Sequence, residues 1–267
     1  MKNKIVFSML GVLVMVALIV ILGKGVNAVK QSKNDLPLIL KVSSEKQTYI
    51  LGEVVKLNFE LINKGDKVIK IPLRPDVSTG YLKVWIALDG QEFNRYHNTS
   101  WGRMEHGGPT LQPGQSFNSQ ATILWNSKPD TLNLNPDVAK GRIMNDYAFP
   151  KAGVYFIKAV ASITGDAPMK IESEPIQIVV NEPVGDELKV WNDIKDSGEI
   201  ASFIQRGSFL TSKDEEEKNL VKRVEQITQS YPNSFLVGQM KQKLEKFRTG
   251  EEKSKEMLEK SGVKPKN

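Results

Sequence analysis

The chain has 267 residues, no cysteine, two histidines (His97 and His106) and a formal net charge of +6. Without thiols it has no disulfide, thiolate metal site or cysteine nucleophile, and with two histidines a zinc site would need carboxylates to complete it. Part of the positive charge sits at the start: residues 1–28 hold Lys2, Lys4 and Lys24 and no acid, which leaves 34 basic and 31 acidic side chains beyond them and weakens a nucleic-acid reading.

In chain order, the first feature is an uncharged run, Ile5–Leu22, preceded by Lys2 and Lys4 and followed by Gly23 to Gly25 and Val26-Asn27-Ala28. A basic start, an apolar stretch and a small-residue site define a secretory signal peptide. The run is longer than the usual signal core of about 7–15 residues and shorter than the roughly 20 of a spanning helix. Two outcomes follow: cleavage after Ala28, or retention as an N-terminal membrane anchor through residues 5–22. Both place the body outside the cytoplasm, in the periplasm, at the cell surface or secreted.

From Leu36 to Val180 the pattern alternates. Val55, Leu57, Phe59 and Leu61 interleave with Lys56, Asn58 and Glu60, so one face of this strand is apolar. Asn63-Lys64-Gly65-Asp66 is a turn, and Val68–Ile71 resumes as strand. Tyr81–Leu88 is a further strand with Leu82, Val84, Ile86 and Leu88 on one face, and Asp89-Gly90 turns it into Gln91–Tyr96. Strands follow at Phe117–Trp125, Gly153–Ala161 and Ile176–Val180. Seven or eight short strands, with no amphipathic helix between them, predict an antiparallel β-sandwich rather than a parallel α/β sheet. Trp85 and Trp125 are expected in its core. Tyr155, after Pro150-Lys151-Ala152-Gly153, sits where a tyrosine corner would bond back to the preceding turn.

The landmarks Tyr49-x-x-Gly52-Glu53-Val54-Val55, Leu61-x-Asn63-x-Gly65, Leu111-x-Pro113-Gly114-Gln115, Trp125, Gly153-x-Tyr155 and Ser173-Glu174-Pro175 resemble, in type and order, those of bacterial exported Ig-like domains. They are also similar to the bacterial intracellular proteinase inhibitor family. The resemblance spans residues 37–183 and implies an Ig-like β-sandwich. Its landmarks are turn and core residues, so it speaks for fold more than for function.

After Pro183 the period becomes helical. Leu188, Val190, Trp191 and Ile194 mark a short helix that Gly198 interrupts. Ser212-x-x-Glu215 reads as a capping box ahead of the stripe Leu220, Val221, Val224 and Ile227. Tyr231-Pro232-Asn233-Ser234 forms a joint, capped by Asn233 or Ser234, before Leu236, Met240, Leu244 and Phe247 on one face. A single such hairpin resembles one tetratricopeptide unit, but an array needs about three repeats, and a small helical bundle packed on the sandwich is the expectation. Trp191 is expected to dock it on the strands. The resulting organisation is 1–28 leader or anchor, 37–183 Ig-like β-sandwich, 184–247 helical domain and 248–267 charged tail expected to fray.

One stretch is not explained by packing. Residues 93–109 hold both histidines, Tyr96, Trp101, Arg95 and Arg103 in a glycine-bearing loop. Loops on a rigid scaffold carry function, and aromatic plus arginine content suits peptides, sugars or acidic groups. Tyr96, Trp101, Arg103 and His106 are the candidate ligand-binding residues. The sequence contains no G-x-S-x-G elbow, phosphate-binding loop or dinucleotide fingerprint, and His97, His106 and Glu105 do not match a metal signature. The expectation is a non-enzymatic binding or scaffolding protein of the bacterial cell envelope without catalytic residues, metal or cofactor, its partner a protein or envelope polymer rather than nucleic acid. An extracytoplasmic protease inhibitor is the second expectation, and an accessory domain of a wall or carbohydrate hydrolase the third.

Overall fold

The computed structural model describes residues 37–98, 107–128, 144–163, 168–209 and 214–261. These form a β-rich body of antiparallel sheets followed by four helices, within one unit from Pro37 onward. The leader, Ser212 of the expected capping box and the end of the tail lie outside the described residues.

The first sheet has the order β1-β3-β8, from Leu38–Ser44, Val55–Asn63 and Ser116–Ile123. Its register pairs Val42 with Phe59, Leu40 with Leu61 and Leu57 with Ala121. The expected alternation holds: Val55, Leu57, Phe59 and Leu61 are buried, and Lys56 is exposed. The second sheet has the order β2-β13-β11-β5-β6, from Thr48–Ile50, Ile176–Asn181, Gly153–Ile163, Leu82–Leu88 and Asn94–Arg95. Strand β11 is long enough to pair along one edge with β13 and then with β12, Met169–Glu172. Leu82, Val84 and Ile86 point inward with Ile157, Ala159 and Ala161, and the buried faces of both sheets contribute to one core. Two small pairs complete the strands: β4 (Ile69–Lys70) with β7 (Thr110–Leu111), and β9 (Trp125–Lys128) with β10 (Met144–Tyr147).

Several expectations shorten or shift. The Gln91–Tyr96 strand reduces to two residues, and Phe117–Trp125 breaks at Leu124 into β8 and β9. Trp85 is half-buried rather than core. Since Val84 and Ile86 face inward, period 2 sends Trp85 to the other face, in register with Arg95 and Lys158. Tyr155 does bond back: its hydroxyl donates to the Lys151 carbonyl at 2.7 Å.

The turn landmarks of the sequence are structural. Asn63 is fully buried, donates to the carbonyls of Lys67 and Leu111 and accepts from Gly65 N, so its amide ties the turn to β7. The Tyr49 hydroxyl bonds Ser44 Oγ at 2.6 Å and accepts from Lys46 N. Glu53, 6% exposed, pairs with Lys46 and accepts from Ile50 N.

The helices are α1 (Asp186–Ile194), α2 (Gly198–Arg206), α3 (Asp214–Ser230) and α4 (Phe235–Ser261). Gly198 does not merely interrupt: it begins α2, behind the N-cap Ser197, whose side chain accepts from Ile200 N. Six consecutive residues of α2, Ile200–Gln205, are buried, because this helix lies between the strands and the other helices. On α1, Val190, Trp191 and Ile194 are buried, but Leu188 is 41% exposed. Leu236, Met240 and Leu244 are buried as their spacing predicts. Residues 248–261 continue α4 as helix rather than fraying. Their composition, rich in Glu and Lys, favours helix even where little apolar surface is available to bury.

Candidate functional site

The site is built where the second sheet, the β9–β10 pair and α2 meet. Leu124 is the break between β8 and β9, and the amides of Leu124 and Trp125 both donate to Gln205 Oε1, at 2.8 and 2.6 Å. A single side chain of α2 thereby takes the place of a strand neighbour at the break. Gly198 makes the close approach possible: a Cβ there would lie 2.6 Å from the Trp125 ring.

Tyr147 joins this region to α1. Its ring meets Trp125 edge-on at 5.0 Å and Trp191 at 4.7 Å, and its hydroxyl donates to the Ile194 carbonyl at 3.0 Å. Trp191 therefore docks the helices against the strands, as expected, with Gly52 beneath its ring. Burial pushes the Tyr147 phenol well above its ordinary value, and Asp196 pushes it the same way.

A cleft of about 170 Å³ opens beside these residues. Buried Ile86, Tyr147 and Tyr155 line its interior, while exposed Asn94, Asp146 and Lys151 mark its rim. Asn126 Oδ1 at its edge accepts from the amide of His97 at 2.8 Å, which fixes the path of the chain as it leaves β6. Two larger hollows, about 620 and 570 Å³, lie along α4 and over the outer face of the first sheet around Asn58 and Gln120. They lie more open to solvent, and the smaller cleft is the more enclosed of the three, so it is the candidate.

Tyr96 lines the cleft, but it is 4% exposed and packs into the core, so it is not an aromatic displayed to solvent as a loop position suggests. The reason is register. Tyr96 N bonds the Val84 carbonyl, which continues the β5–β6 pairing and turns the ring inward. Trp101, Arg103 and His106 lie outside the described residues. Among the described residues no three His, Asp or Glu side chains are placed to hold a metal ion, and no helix is long and apolar enough to cross a membrane.

Along α2 and its neighbours, the Tyr96 hydroxyl, Gln205 Nε2, Arg206 Nε, Ser202 Oγ and Trp125 Nε1 are buried without a hydrogen-bond partner. Burial pushes the Tyr96 phenol well up, while the Gln205 side chain and the Arg206 charge act in the opposite direction. Gln205 and Tyr96 are thus close enough to influence each other without being aligned as a hydrogen bond. Burial also lowers the Arg206 guanidinium from its ordinary value, with the Tyr96 phenol opposing it. Gln205 and Arg206 were not legible as site residues. Their one signal is a polar pair closing the run Ile200–Ile204, which is apolar but for Ser202.

No protein-family model matches the chain, and no curated protein matches it. Among solved structures the likenesses include three distant ones. The sporulation control protein Spo0M of Bacillus subtilis shows 16% identity and a TM-score of 0.30, over 60% of this chain and 56% of that one. The CARDB domain of a Pyrococcus furiosus protein shows 10% identity and a TM-score of 0.26, over 54% of this chain and 94% of that one. A β-glucosidase of Listeria innocua shows 12% identity and a TM-score of 0.29, over 55% of this chain and 16% of that one. At such scores none of them assigns an activity to this chain.

Proposed function

We propose that this chain is an exported, non-enzymatic binding or scaffolding protein of the bacterial cell envelope. In this reading an Ig-like β-sandwich and its helices present a rigid binding surface. The observation that carries it is the leader: Lys2 and Lys4, an uncharged run Ile5–Leu22, and small residues at Val26 and Ala28. Supporting it, the cleft beside Tyr96 combines buried Ile86, Tyr147 and Tyr155 with polar side chains such as Asn94, Asn126 and Asp146, an arrangement suited to holding part of a partner. Its volume is well below the roughly 300–1,000 Å³ of an ordinary small-molecule pocket, which favours a single side chain or residue over a whole metabolite. The absence of cysteine suits a scaffold whose stability outside the cytoplasm rests on its core.

Cell fractionation with N-terminal sequencing tests the reading. A start at Val29 in the soluble extracytoplasmic fraction means a free exported protein, and an intact Met1 in the membrane fraction means a tethered ectodomain. Recovery of the intact chain from the cytoplasm would overturn export.

A further inference from the structure

The first sheet ends at β8, and the backbone groups of that strand divide between two sides. In antiparallel pairing every second residue turns its N–H and C=O to the neighbouring strand, and the residues between turn theirs away. Asn63 N donates to the Gln115 carbonyl, which sets the phase. Phe117, Ser119, Ala121 and Ile123 bond β3, and Ser116, Asn118, Gln120, Thr122 and Leu124 face outward. At Leu124 the outward side is filled: its amide donates to Gln205 Oε1 and its carbonyl accepts from Ala148 N, both at 2.8 Å. From Thr122 back to Ser116 it is open. Among the described residues no strand, loop or side chain bonds those outward amides and carbonyls. Ser116, Asn118 and Gln120 are exposed, so the row faces solvent.

An open edge is a template for a further strand, and folded proteins guard against it with charge, proline or a covering loop. This edge carries no such guard in its own sequence. From Gly107 to Ser127 the chain has no charged residue, and 116–123 has no proline. The opposite edge of the same sheet differs: Lys41 lies within β1, and Glu45 and Lys46 follow it. Arg74 lies over the Phe117 ring, and the Pro75 carbonyl accepts from Ser119 Oγ at 3.3 Å. Residues 74–75 thus sit against the inward side of β8 without bonding its outward backbone row.

The strand that fits can be read from β8 itself. A neighbour must carry apolar side chains inward, to continue half-buried Phe117 and Ala121, and uncharged polar ones outward, beside Asn118 and Gln120. β8 has that alternation. Two copies set antiparallel about a two-fold axis at Ser119 bring Ser116 opposite Thr122 and Asn118 opposite Gln120. Each outward amide and carbonyl from 116 to 122 then meets its complement. The same register sets Phe117 of one copy against Ala121 of the other, large against small on the inward side. No like charges meet across the axis.

We propose that the β8 edge pairs with β8 of a second copy of this chain, antiparallel about a two-fold axis, and joins the two first sheets into one continuous sheet. Such a contact uses the same patch on both copies and covers both β8 edges, so it stops at two. The inference goes beyond the binding reading above, and it does not depend on export.

The test is sedimentation velocity, over a range of concentrations, of the chain from Val29 to Asn267, which keeps the whole compact unit from Pro37 onward. A dimer is expected, with amide hydrogen exchange slowed at Ser116, Asn118, Gln120 and Thr122 as it forms. Two double variants probe the register: Asn118→Lys with Gln120→Lys, and Asn118→Glu with Gln120→Glu. Each sets like charges opposite one another across the axis and is expected to weaken self-association about 10-fold or more. An equimolar mixture of the two sets opposite charges there and is expected to restore the dimer. Both side chains are exposed, and near-ultraviolet circular dichroism checks that each variant is folded. A wild-type chain that stays monomeric at about 0.1 mM would overturn the proposal. So would a dimer that both variants leave intact, which would place the interface elsewhere, and so would a mixture of the variants that remains monomeric. Failure of export in the fractionation leaves these outcomes unaffected, so the two readings fail separately.

Discussion

Gly52 shows how one residue serves two requirements. Its φ of +83° closes the turn after β2, and a Cβ there would lie 3.0 Å from the Trp191 ring. Gly80, at φ +78°, has the same backbone but nothing within 4 Å of a built Cβ. Left-handed backbone costs an alanine about 1–2 kcal/mol, and forcing atoms into a packed contact adds roughly 1–3 kcal/mol. Gly80→Ala is therefore expected to lose only the first amount, and Gly52→Ala both. Urea unfolding of the two variants checks this through their midpoints at unchanged slope. Equal losses would mean that Trp191 yields and that the helices are loosely seated.

At the scale of elements, the start of α4 is held from outside its own sequence. Ser234 is its cap, accepting from Val237 N at 3.3 Å, and this was one of the two residues the sequence offered. The Glu187 carboxylate on α1 then takes up the orphan amides of Phe235 and Leu236, at 2.6 and 3.1 Å, and a hydroxyl bond from Ser234 at 2.7 Å. A negative charge at a helix N-terminus is favoured by the dipole as well as by the hydrogen bonds. Glu187→Gln removes the charge and leaves one donor facing other donors, so a loss of about 1 kcal/mol is expected. Hydrogen exchange at the Phe235 and Leu236 amides should quicken in the variant. Unchanged exchange there would show that water caps this end instead. Glu187 could not be found from spacing, since the two elements are 48 residues apart at the Phe235 contact. The aromatic group of Phe203, stacked on Phe209 at 4.3 Å and edge-on to Phe247, is likewise a product of three separate segments.

For the molecule as a whole, buried phenols set the response to alkali. Burial raises the pKa of Tyr96, Tyr147 and Tyr155. A raised folded-state value means that each contribution is fully present below the unfolded value of about 10 and is lost as pH rises toward and through the folded value. Stability should therefore fall above pH about 10. Lys243, which burial and neighbouring Lys246 and Lys56 lower, acts in the opposite sense in a lower window: stability rises as pH climbs through its lowered folded value to its ordinary value of 10.5, and it does not offset the fall beyond that. Tyr147→Phe removes one phenol and its bond to Ile194, at about 1 kcal/mol near neutral pH. It should also flatten the alkaline slope by up to about 1.4 kcal/mol per pH unit. Urea unfolding of both proteins at several alkaline pH values measures the difference, and parallel slopes would mean that this phenol is hydrated in the folded state.

The sequence by itself determined what depends on near neighbours: the alternation of β3, β5 and β11, the turns at Asn63, Asp89-Gly90 and Pro113-Gly114, the apolar stripe of α4, and the corner made by Tyr155. Period and turn chemistry act over a few residues, so they survive in the linear order. It did not determine β2 and β7, which exist only because a neighbouring strand supplies their hydrogen bonds. Nor did it determine the inward turn of Tyr96, which the pairing of β6 with β5 decides. The contact of α2 with the strand break is the plainest case. Gln205 lies about 80 residues beyond the strand amides it satisfies, and Tyr96 follows β6 of the second sheet, far from α2 in the chain. Only when α2 is pressed against the strand break does the Gln205 side chain meet the amides of Leu124 and Trp125, because burial and convergence belong to the packed chain and not to any segment of it.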